Sequence, residues 1–103
     1  MAAFLLADVE VPDMQAYIDC GYIENVPKIA ARYGGVYRAR GGDMEVLEGD
    51  WTPTRMIIIE FPDMESLKAL YDDPEYLPYR EIRQKLTISK IVAVDGLSTP
   101  LKV

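Results

Sequence analysis

Tyr33-Gly34-Gly35, Arg40-Gly41-Gly42, Glu48-Gly49-Asp50-Trp51 and Ile57-Ile58-Ile59-Glu60-Phe61-Pro62 punctuate one stretch of the chain, residues 33–62, whose reading decides the fold. Gly34 and Gly35 stop a helix, because glycine adopts the left-handed cap conformation without steric cost. Val36 to Arg40 and Asp43 to Glu48 read as short strands around Gly41-Gly42, a strong hairpin signal. Glu48 to Thr54 is a loop carrying the only tryptophan, Trp51. Arg55 to Phe61, with three consecutive isoleucines, is the clearest strand.

Outward from this stretch the pattern continues on both sides. Phe4 to Val11 is an apolar run closed by Pro12, and it reads as a first strand. Asp13 is a helix N-cap, followed by Met14, Ile18, Tyr22, Ile29 and Tyr33 at helical spacing. Pro27 lacks an N–H and clashes one turn back, so a kink or restart is expected near Asn25. On the other side, Pro62-Asp63 opens a helix with Met64, Leu67, Leu70 and Tyr71 on its apolar face. Asp73-Pro74 opens another, which Pro78 should delay until after Tyr79. Ile88 to Asp95 is the last strand. Residues 1–96 then form the domain, and 97–103 an irregular tail.

The order is βαββαβ with an embellished central hairpin, an α+β sandwich with its helices on one face of the sheet. Met56 to Phe61 and Ile91 to Val94 are nevertheless apolar on both alternating faces. A sheet covered on one side alternates apolar and polar residues. The uncovered face would therefore expose an apolar patch of a size soluble monomers rarely carry. A second copy packed sheet against sheet removes the conflict, so a homodimer is expected.

Composition narrows the function. The chain has 103 residues, half of them hydrophobic, and a formal charge of −6. With no Lys/Arg run, that acidic balance argues against nucleic acid or an anionic membrane as partner. The apolar start is too short for a signal peptide or membrane span. One cysteine, Cys20, cannot form an internal disulfide, which points to the cytoplasm. The absence of histidine removes the histidine-based catalytic triads and the common zinc sites. It also removes the usual haem ligand, and no flavin fingerprint is present. No cofactor is expected.

Together, Tyr33-Gly34-Gly35, Arg40-Gly41-Gly42, Glu45 to Trp51, Glu60-Phe61-Pro62 and Asp73-Pro74-Glu75-Tyr76 resemble a bacterial family of unknown function within the dimeric α/β-barrel superfamily. The resemblance spans about residues 2–96. It implies a ferredoxin-like fold and a dimer formed through the sheets, and it assigns no reaction. Activities of better-known superfamily members do not transfer on fold alone.

Several residues are candidates for chemistry. By strand periodicity Arg38 and Arg40 share one face, where guanidinium forks suit a carboxylate ligand. With Glu60 and Asp8 they would form a mixed-charge cluster, with Glu60 as the general base and Arg40 stabilising negative charge. The same residues could instead be a structural ion pair closing the dimer. Glu48 and Trp51 could orient and stack on a ligand, or could seal an interface. Tyr76 and Arg80, one turn apart, are the best tyrosine-based pair for a pocket between sheet and helices. The expected function is binding of a small hydrophobic or carboxylate-bearing molecule, with or without cofactor-independent turnover. The alternatives are a non-enzymatic sensing module and a purely structural dimer.

Overall fold

Strand β1 (Ala3–Glu10) sets the architecture through its alternation: Ala3, Leu5, Ala7 and Val9 are buried, while Phe4, Leu6 and Asp8 are only half-buried. In the computed structural model, which describes residues 1–99 and 101, this strand lies inside a four-stranded antiparallel sheet. Of the expected tail, Pro100, Lys102 and Val103 lie outside the described residues. The remaining elements are α1 (Met14–Asp19), α2 (Tyr22–Arg32), β2 (Val36–Arg40), β3 (Met56–Phe61), α3 (Met64–Tyr71), α4 (Tyr76–Leu86) and β4 (Ile88–Asp95). The sheet order is β2-β3-β1-β4, so each βαβ half crosses over the other and the fold is ferredoxin-like.

The helices cover one face. Val26, Ile29 and Ala30 of α2, Leu67 and Leu70 of α3, and Tyr76 of α4 join the inner residues of β1 with Ile57, Ile59 and Phe61 of β3 in one core. Each large aliphatic or aromatic side chain buried there contributes about 1.5–3 kcal/mol. The other face has no helix. There the register brings Phe4, Glu60 and Val94 into one row and Leu6, Ile58 and Val92 into the next. Val92 and Val94 are exposed.

Helix ends follow the expected chemistry. Asp13 and Asp63 accept from the backbone N–H groups of Ala16 and Ser66 at 3.1 and 2.7 Å, capping α1 and α3. Gly34, with φ of +79°, ends the α2 turn. Two prolines behave differently from expectation. The first helical region breaks at Gly21, whose φ of +85° suits glycine, and not near Asn25. Asn25 instead helps start α2, its side-chain amide donating to the Gly21 carbonyl at 2.9 Å. Pro27 then sits inside α2, at the loss of the one donor that would reach Ile23. Pro78 does not delay α4. It lies in the first turn, where the N–H has no helical partner to lose.

The expected hairpin around Gly41-Gly42 is absent. Asp43 to Glu48 forms no strand: β2 pairs with β3, Gly41 donates to the Met56 carbonyl at 2.8 Å, and the other edge of β2 is left unpaired among the described residues. Residues 41–50 are all exposed, and the loop is tied down only near its end. Asp8 accepts from the N–H groups of Thr54 and Arg55 at 2.9 and 3.4 Å, and from the Trp51 indole at 3.4 Å.

One polar knot orients α4. The Asp73 carboxylate accepts from the Tyr33 hydroxyl and from the N–H groups of Glu75 and Tyr76 at 2.7 and 3.3 Å. Arg32 clamps Glu75 with two bonds of 3.0 and 2.6 Å, joining the end of α2 to the start of α4. The Tyr33 hydroxyl and these backbone donors hold the Asp73 carboxyl below the usual carboxylate range. A carboxyl with a depressed folded pKa stabilises fully above its unfolded value of about 3.9 and loses that contribution as pH falls through the folded value. Asp73→Ala should therefore lower the melting temperature by roughly 5 °C at neutral pH. Melting curves across pH should show this gap closing below about pH 4. A pH-independent gap would contradict the assignment.

Candidate functional site

On the inner side of α4, Tyr76, Tyr79, Arg83 and Thr87 follow helical spacing and face the sheet or the edge of the core. Three of these are expected of an inward stripe. Arg83 is not: its residue is only 3% exposed. It lines a cavity of about 50 Å³ between the inner sheet face and α1, α2 and α4, room for a few water-sized groups. Leu5, Ala7, Ile57, Ile59 and Val26 supply apolar walls.

The polar groups in this space are tyrosines and arginines. The Tyr22 and Tyr76 hydroxyls are 2.9 Å apart and hydrogen-bonded, and the Tyr17 ring stacks on Tyr22 with centroids 5.1 Å apart. Burial pushes the Tyr17 and Tyr22 phenols far above their ordinary value, and raises Tyr37 to about 12. These phenols are neutral donors and acceptors at physiological pH, not bases. Arg40 and Arg55 also line the cavity, with the Arg40 guanidinium 5.7 Å from the centre of the Tyr37 ring. No Asp or Glu lines it. Among the described residues, no group of three or more His, Cys, Asp or Glu side chains is placed to hold a metal ion. The cavity can therefore orient an apolar body and stabilise negative charge, but contains no carboxylate to take a proton.

The candidate residues divide between separate places. Tyr76 and Arg40 line the cavity. Arg38 does not accompany Arg40, because a β-bulge between Tyr37 and Ala39 breaks the period-two pattern. Past the bulge, Arg40 pairs with Ile57 of the inner face, while Arg38 bonds Glu60 on the outer face at 3.1 Å. The expected Arg38, Arg40, Glu60 and Asp8 cluster is thus split by the sheet. Glu48 and Trp51 lie on the exposed 41–55 loop, away from the cavity. Arg80 is a brace: it stacks on Tyr71 at 4.5 Å and donates to the Tyr71 carbonyl and the Asp72 carboxylate at 3.0 and 3.4 Å. Arg83, Arg55, Tyr17 and Tyr22 were not among the candidates for this site. The signal for Arg83 was its place in the α4 stripe, seven residues after Tyr76.

A family model described as a domain of unknown function, DUF1330, matches residues 2–97. The chain belongs to this family. Several solved structures share its fold. The methylated RPA0582 protein of Rhodopseudomonas palustris is 20% identical, with a TM-score of 0.71 over 94% of this chain and 82% of that one. SnoaB of Streptomyces nogalater, a cofactor-independent oxygenase, is 15% identical, with a TM-score of 0.62 over 95% and 94% of the two chains. Rv0793 of Mycobacterium tuberculosis is 14% identical, with a TM-score of 0.61 over 96% and 98%. No curated protein matches the chain. At these identities the likeness establishes the fold of this DUF1330 protein, and its chemistry rests on its own residues.

Proposed function

We propose that this protein is a homodimer, joined through its outer sheet faces, that binds a small, largely apolar molecule in the cavity beneath α2 and α4. The observation that carries the binding reading is the cavity itself: apolar walls with a few convergent polar groups, inside a chain small enough that every buried void is costly. The dimer reading is supported by the apolar outer face, on which the Arg38–Glu60 pair also lies. The lone cysteine suits a reducing compartment such as the cytoplasm.

Turnover without a cofactor is the second reading, supported by the cationic, acid-free lining and by the fold shared with a cofactor-independent oxygenase. In it Arg40 stabilises developing negative charge from the cavity side. Glu60 stays outside this scheme, since it lies across the sheet with Arg38.

Titration with 1-propanol, followed by amide NMR, tests the binding reading. Perturbed resonances should cluster at Val26, Tyr37, Ile57 and Tyr76, and the response should saturate. Scattered or absent perturbations up to millimolar probe would overturn it.

A further inference from the structure

We propose that Arg83 holds the anionic head of the ligand, so that the cavity selects short-chain carboxylates, or the small enolates that resemble them in charge, over neutral molecules of the same shape. This rests on the cavity-binding reading and sharpens it. The key observation is which atoms of Arg83 lack partners. Nε and Nη2 are both buried without a hydrogen bond of ordinary length, the Tyr22 and Tyr76 hydroxyls lying close to the guanidinium, and these two nitrogens form one edge of the fork. That edge carries two parallel N–H donors at the spacing of the two oxygens of a carboxylate.

The energetics favour an anion-binding role over a structural one. A guanidinium stays charged at any physiological pH, so it cannot escape burial by losing its proton. Burying it without a counter-charge is strongly unfavourable even after relaxation. A chain that needed only bulk at this position would gain stability from methionine. No acidic side chain shares the cavity, and the two other lining cations, Arg40 and Arg55, raise the local positive potential further. The nearby Tyr22–Tyr76 hydroxyl pair can donate one further bond to an oxygen held at the fork. Apolar walls from β1 and β3 receive the rest of the molecule. The volume, about 50 Å³, is well below the roughly 150 Å³ that takes a benzene ring, and limits that remainder to a short chain.

The test compares propionate with 1-propanol by calorimetry and NMR, in the wild type and in Arg83→Met and Arg83→Lys. Wild type should prefer propionate at least tenfold. Arg83→Met should erase the preference while still binding 1-propanol, and should melt no lower than wild type in the absence of ligand. Arg83→Lys should keep part of the preference. In the wild type alone, the Arg83 Nε–H resonance should shift with propionate and stay in place with 1-propanol, a readout that needs no variant to fold. Equal affinity for the two probes, or a preference that survives in Arg83→Met, overturns the anion assignment and leaves the cavity reading standing. Failure of both probes to bind overturns both.

Discussion

Val92→Glu should convert the protein to a monomer, raising the dimer dissociation constant at least a hundredfold in analytical ultracentrifugation. Val92 is 60% exposed and lies opposite Leu6, in the row that continues to Ile58 on β3. With Phe4 and Val94 in the adjacent row, these side chains make one apolar patch with no element of the same chain over it. Joining two such patches removes them from water at about 25 cal/mol per Å². A glutamate there would have to be desolvated among apolar side chains, with its neighbour on the same face, Lys90, already set opposite Asp8, at a cost of several kcal/mol. The substitution faces away from the core, so the fold should survive with unchanged far-ultraviolet dichroism. A wild type that sediments as a monomer at micromolar concentration would end the dimer reading, as would a Val92→Glu protein that remains dimeric.

Phe61→Ala should cost about 3–5 kcal/mol, a large part of the roughly 5–15 kcal/mol total of a chain this size. Phe61 is 1% exposed and sits where β3 ends, paired across the sheet with Ala3. Its ring lies so close to the Gly35 backbone that a Cβ on Gly35 would fall 2.9 Å from a ring carbon. The ring therefore packs against the turn that delivers α2 into β2. Urea unfolding should show a midpoint falling by a third or more with an unchanged slope. A loss below about 1 kcal/mol would mean the site collapses freely around the cavity, contrary to the packing described.

The sequence disclosed the elements more readily than it disclosed their faces. Aspartate caps at Asp13, Asp63 and Asp73 and the glycine stop at Gly34 act within a few residues, so local chemistry reveals them. The isoleucine run of β3 and the double apolarity of β4 were legible for the same reason. Asp43 to Glu48 misled because a Gly-Gly pair marks a bend in the chain and not a strand after it: among the described residues β2 pairs with β3 alone, and its outer edge stays free. The bulge at Arg38 left no residue signal, yet it moves Arg40 to the cavity side and leaves Arg38 with Glu60. Arg83 was hidden by its type. An arginine on an amphipathic helix reads as solvated surface, and only the inward tyrosines around it show otherwise.

The separation of Trp51 from the tyrosine-lined cavity has a practical consequence. The only indole of the chain is hydrogen-bonded to Asp8, on the outer side of the sheet, whereas Tyr17, Tyr22, Tyr37, Tyr71 and Tyr76 surround the cavity on the inner side. The molecule thus carries two native chromophores with separate addresses. Selectively excited indole emission reports on the loop and the outer face, while phenol difference absorption reports on what enters beneath the helices. Association and occupancy can be followed in one unlabelled sample, each by its own colour of light.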